Sequence, residues 1–243
     1  MTDAPRSATS TSASVDPARH TAWWLATWLA ASVAGSMVLL ALYRVTPGDG
    51  VALATPLGVV AASLVALWTV QMLGMVLASR SIGSGDPIAD YGLRARPIDL
   101  LGLPLGVAAQ LVLVPLLYLP LRAFDGDTFS DERLEDTARD LVAQADGALI
   151  VLLIGLVVIG APVVEEIFYR GMLQRPMLVR FGPWIAVPVV SLVFGAIHLR
   201  PVEFVGLAAA GAVFGTCAAL TDRIGMAVAA HVAFNATGVV AVL

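Results

Sequence analysis

Seven stretches of the chain run apolar with scarcely a charge: residues 22–43, 52–79, 99–121, 148–170, 183–199, 203–220 and 224–243. Their apolar positions are continuous and do not alternate, which reads as helices and not as barrel strands. A spanning helix takes roughly 20 apolar residues. In lipid only helices or closed barrels satisfy the backbone. The pattern predicts an all-α, polytopic membrane protein of about seven transmembrane helices. Its partner is the lipid bilayer. The first run opens on Trp23 and Trp24, residues suited to a membrane interface. It continues to Tyr43, longer than the roughly 7–15 apolar residues of a signal peptide, so it reads as an uncleaved helix.

Composition sharpens this. The 243 residues are 58% hydrophobic and 13% charged, and the mean hydropathy is +0.86. Ordinary soluble domains are roughly 45–50% apolar and about 25% charged. The departure in both directions excludes a disordered chain, a nucleic-acid binder and an ordinary soluble enzyme. Every Lys/Arg position is Arg, and the chain is rich in Ala, Val, Gly and Leu. That composition suggests a bacterial source, and with it a multi-pass protein of the plasma membrane. The single cysteine, Cys217, lies in an apolar run and reads as a small core residue.

The segments between the runs divide the chain. Residues 1–20 are rich in Ser, Thr, Ala and Pro and read as a disordered tail that holds His20. Residues 21–147 comprise three helices and an acidic loop at 122–147, and residues 148–243 form a core of four helices. Within the acidic loop Leu134, Ala138, Leu141 and Val142 recur at helical spacing after Ser130, which predicts a short capped surface helix. Residues 171–182 read as a linker broken by Pro176 and Gly182, with 172–181 able to lie along the membrane surface. With the N-terminus inside, inner segments hold nine arginines and outer ones five, which favours a cytoplasmic N-terminus and an outer acidic loop.

Ionisable residues inside spanning segments cost about 2.5–3.5 kcal/mol each and are functional candidates by default. Here they gather in the last four runs: Glu165, Glu166 and Arg170, then His198, Glu203 and His231, with Asn235 beside them. Glu166 and Arg170 are four apart and can pair on one helical face. Glu165 points about 100° away, without a partner on its own helix, which suits a general base. Phe194 and His198 share a face, as do His231 and Asn235. A hairpin turning near Phe181-Gly182 would set Glu165 and His198 level, each roughly 24 Å from the turn. Gly206, Ala210, Gly211 and Gly215 would let neighbouring helices approach closely.

These residues fall into three ordered motifs: E-E-x-x-x-R at Glu165, Glu166 and Arg170, F-x-x-x-H at Phe194 and His198, and H-x-x-x-N at His231 and Asn235. In them the chain resembles the CPBP family, the CAAX-processing and bacteriocin-processing (Abi) intramembrane proteases, which include the type II CAAX prenyl endopeptidases. The resemblance covers residues 148–243. It implies an intramembrane endopeptidase that cleaves a membrane-associated peptide or protein. Its catalytic set would be Glu165, Glu166, His198, His231 and Asn235, with Arg170 and Phe194 lining the site. Glu165 would activate water, and His198 and His231 would bind either a metal or the water and oxyanion. Asn235 would stabilise the oxyanion or orient His231. The family is often described as metalloproteases, and His198, His231 and Glu165 would be the ligands of a Zn²⁺ ion. H-E-x-x-H is absent, however, and a metal-free glutamate mechanism is equally compatible with these residues. The rival classes are a transporter, which would spread polar residues over repeated halves, and a non-catalytic membrane partner or immunity protein.

Overall fold

The computed structural model describes residues 16–45, 57–145 and 147–243. Most of the tail expected at 1–20 lies outside the described residues. His20, however, belongs to a helix, buried with its Nδ1 donating to the Asp16 carbonyl at 2.9 Å.

The helices are α1 Pro17–Val45, α2 Leu57–Ile82, the single turn α3 Pro87–Asp90 and α4 Pro97–Phe124. They continue as α5 Asp131–Ala143, α6 Ala148–Phe181, α7 Pro183–Ala196, α8 Phe204–Thr221 and α9 Gly225–Val242. Among the described residues six helices (α1, α2, α4, α6, α8 and α9) are long and apolar enough to cross a membrane. α7 is apolar but has only 14 residues, roughly 21 Å of helix. The protein is therefore an all-α, multi-pass membrane protein. α5 is the expected surface helix, and the Ser130 hydroxyl accepts from the Arg133 amide at its start.

The linker expected at 171–182 is instead helix. α6 runs unbroken past Gly171 and Pro176, so 172–181 does not form a separate surface segment. Proline removes an amide and crowds the turn before it, and this chain answers the same way three times. Val114, Ala161 and Arg175, each the residue before a proline, donate to the carbonyl five back: Ala109, Leu156 and Arg170. Each widened turn lets the helix continue past its proline.

The tally of inner arginines also changes. Arg170 is buried within α6 and carries no loop charge, so the inner count falls by one.

α1 and α2 form a hairpin, and α1 packs on α6 through Trp24, whose ring lies 5.4 Å from Phe168 and 5.7 Å from Tyr169. α4 lies so close to α9 that a side chain at Gly106 would strike the Ala230 carbonyl. α7 packs on α8 and α8 on α9, with Ala210, Phe214, Cys217, Ala227 and Ala230 buried between the last two. At one end Arg223 donates through Nε and Nη2 to both oxygens of Asp99, at 2.9 and 2.6 Å. This fixes the α8–α9 turn to the start of α4. The four C-terminal helices thus form a platform that the earlier helices flank.

Candidate active site

The site is built from α6 outward. Glu166 and Arg170 stand one turn apart, and both side chains are fully buried. Arg170 Nε donates to Glu166 Oε2 at 2.9 Å, and its guanidinium lies over the Phe194 ring, 5.2 Å from the centroid. Nη1 and Nη2 of Arg170 are buried without a hydrogen-bond partner.

The other oxygen, Glu166 Oε1, lies 3.0 Å from His231 Nδ1 on α9. Arginine is always protonated, and beside that buried charge Glu166 stands as its carboxylate counter-ion. A carboxylate has no proton to give, so His231 Nδ1 is the donor. In the neutral ring Nε2 then carries the lone pair. That nitrogen lies 3.9 Å from Glu165 Oε2, and Glu165 is partly exposed while the imidazole is buried. Phe214 stacks on the His231 ring at 4.5 Å, and Phe194 meets it edge-on at 5.7 Å. The imidazole is thus held by one hydrogen bond and two rings.

Helical spacing set the two glutamates on different faces, yet His231 reaches both, because it approaches from the neighbouring helix and not along α6. Glu166 accordingly has two partners where the sequence offered one.

His198 lies just past the end of α7, half-buried, with its ring 4.9 Å from Phe194. Its Nδ1 donates to the Phe194 carbonyl at 2.7 Å, which a carbonyl can only accept. His198 and His231 therefore flank the same phenylalanine ring. His198 and Asn235 also line a cavity of about 490 Å³ between α4, α5, α8 and α9. Glu165 and His231 are not among its lining residues, and they face each other outside it.

Asn235 has a job the sequence did not suggest. Its Nδ2 donates to the Val157 carbonyl at 2.8 Å. The amide of Ala161, which would normally bond Val157, goes to Leu156, and Pro162 has no N–H to offer. The proline in α6 thus orphans a carbonyl, and Asn235 satisfies it from α9. We expect Asn235→Leu to destabilise the protein by about 1–3 kcal/mol, the cost of an unpaired buried acceptor. Thermal unfolding in detergent measures this, and a change within error would remove the tether.

Three polar residues escaped the sequence reading. Gln174, fully buried, donates through Nε2 to the Gly215 carbonyl at 2.8 Å and ties α6 to α8. It lies one further turn along the face of Glu166 and Arg170, a repeat of four that was legible in the sequence. Tyr118 donates to the Val202 carbonyl at 2.6 Å and accepts from the Gly206 amide at 3.2 Å. Gln110 lines the cavity from α4, and an amide inside an apolar run was its signal. Glu203 stands at the start of α8, lines the same cavity and pairs with Arg200 at 3.0 Å.

Residues 147–237 match the family model described as "Type II CAAX prenyl endopeptidase Rce1-like". That segment is an Rce1-like domain. It contains all three motifs and the whole carboxylate–imidazole chain, and the match supports a likeness to the CAAX-type intramembrane proteases in general. α1 to α5 lie outside the Rce1-like match. No curated protein matches the chain, and no solved structure matches it.

Among the described residues no three His, Cys, Asp or Glu side chains stand together in a way that could hold a metal ion. His198 and His231 lie on either side of the Phe194 ring, which stands between the two imidazoles. The expected set of His198, His231 and Glu165 does not fit a zinc site in this arrangement.

Proposed function

We propose that the Rce1-like domain hydrolyses a peptide bond near the C-terminus of a membrane-anchored substrate, with Glu165 as general base. One observation carries this reading: His231, donating to Glu166, turns an unprotonated Nε2 toward Glu165 at 3.9 Å. A water molecule can sit within roughly 2.8 Å of both atoms and give one hydrogen to each. Glu165 takes the proton as the water oxygen attacks the carbonyl carbon, and that proton then passes to the leaving amine as the C–N bond breaks. Two groups on the cavity offer donors for the oxyanion. One is the second N–H of Asn235, and the other is His198 once protonated on Nε2. The family description supplies the substrate class to try first, a prenylated C-terminal CAAX peptide.

The reading is metal-free, supported by the absence of a fitting donor set among the described residues. Chelator treatment of the purified protein should leave cleavage of a farnesylated CAAX peptide within twofold. Stoichiometric zinc, with activity lost to chelator and restored by zinc, would overturn this part of the reading. The excess of inner arginines supports an N-terminus on the cytoplasmic side. Cleavage of the farnesylated peptide by protein in lipid nanodiscs tests the function itself. If the protein acted as a transporter or a non-catalytic partner, the peptide would remain intact.

A further inference from the structure

The cavity is bounded on one side by helices outside the Rce1-like segment, and α4 offers it an amide. Gln110 sits in the widened turn Ala109–Leu113 that precedes Pro115. Its Oε1 is buried and has no hydrogen-bond partner. Its Nε2 lies beside Gly238 of α9, 3.4 Å from where a Cβ would stand, an ordinary van der Waals contact. His198 and Asn235 face the same cavity. Leu134, Ala138 and Leu141 of α5 line it with Arg122, Asp131, Glu135 and Glu203, so the wall is apolar along the helices and charged where α4, α5 and α8 meet.

A buried acceptor left unpaired is costly unless something else completes it. A glutamine side chain presents one acceptor and two donors. That set is complementary to the N–H and C=O of a peptide unit. A cavity of about 490 Å³ is also within the range that binds small ligands. We propose that Gln110 is a substrate-binding residue, with its side-chain amide pairing to a backbone peptide unit of the substrate lodged in the cavity beside His198 and Asn235. The inference rests on the proposed function for the nature of the occupant. It assigns recognition to α4, a helix that the Rce1-like match does not reach.

The test is binding, so that it can fail separately from catalysis. A fluorescent farnesylated CAAX peptide is titrated by anisotropy into Glu165→Gln protein in nanodiscs, and into the same protein carrying Gln110→Leu. The leucine variant removes an unpaired acceptor and should unfold no earlier than its parent. We expect its affinity for the peptide to fall roughly tenfold, the size of one or two hydrogen bonds. The difference should shrink when the paired peptide unit is replaced by an ester. Equal affinities, or no saturable binding to either protein, would overturn the inference. Cleavage by the wild type together with equal affinities would leave the proposed function standing without Gln110. A tenfold loss of binding with no cleavage by the wild type would keep the binding site and remove the hydrolase.

Discussion

Replacing Glu165 by glutamine should lower the cleavage rate of the farnesylated peptide by roughly 10²–10⁴-fold, the usual contribution of a positioned general base. Glutamine keeps the shape of the side chain but cannot take a proton from water. The fold should be indifferent to the change. Glu165 is partly exposed, and the His231 imidazole on α9 stands beyond hydrogen-bond distance at 3.9 Å. A substitution of that kind costs within about 0.5 kcal/mol, which moves Tm by no more than about 2 °C in a chain of this size. Activity that survives in the glutamine variant would assign the base elsewhere.

Glu166 should behave differently, and its effect on the fold should be the larger. Glu166→Ala leaves Arg170, fully buried and with both Nη groups already unpartnered, without any counter-charge. It also strands the Nδ1–H of His231. Breaking a buried ion pair by removing one partner costs about 3–5 kcal/mol, enough to deplete folded protein. Glu166→Gln is the more informative variant. A glutamine has one oxygen, so it cannot accept from Arg170 on one atom and from His231 on the other. Its fold should suffer less than that of Glu166→Ala, while its activity falls because His231 is no longer held in the tautomer that leaves Nε2 unprotonated. The yield of monodisperse protein and thermal unfolding report the first effect, and peptide cleavage the second. Full activity in a well-folded glutamine variant would show that the orientation of His231 does not depend on Glu166.

Much of this architecture was legible in the sequence, because membrane helices announce themselves by apolar length and their functional residues by polarity. Most spanning runs were visible to within a few residues, but the fourth continues past its expected end at 170 to Phe181 and the fifth, expected at 183–199, is a helix of only 14 residues. The Glu166–Arg170 pair followed from a spacing of four and is present in the structure. What the sequence hid arises between helices. That His231 touches both glutamates depends on how α9 crosses α6, and no spacing within one helix encodes it. The resemblance gave Asn235 the role of stabilising the oxyanion or orienting His231, and its bond to a carbonyl that Pro162 orphaned on another helix is a further contact that no spacing within α9 encodes. The break expected at Pro176 did not occur, because a turn widened to the carbonyl five back carries α6 through it. Gln110 carries no charge and stands apart from the polar cluster of the last four runs, although an amide in lipid needs partners as well.

The central claim is that Glu165 drives water into a peptide bond. It is tested most directly by incubating the farnesylated CAAX peptide with wild-type and Glu165→Gln protein in water enriched in oxygen-18, and weighing the products by mass spectrometry. The account predicts that the wild type releases the terminal fragment and leaves one oxygen-18 in the new carboxylate, while the variant returns the peptide intact. An intact peptide from both proteins, or equal release by the two, would contradict it.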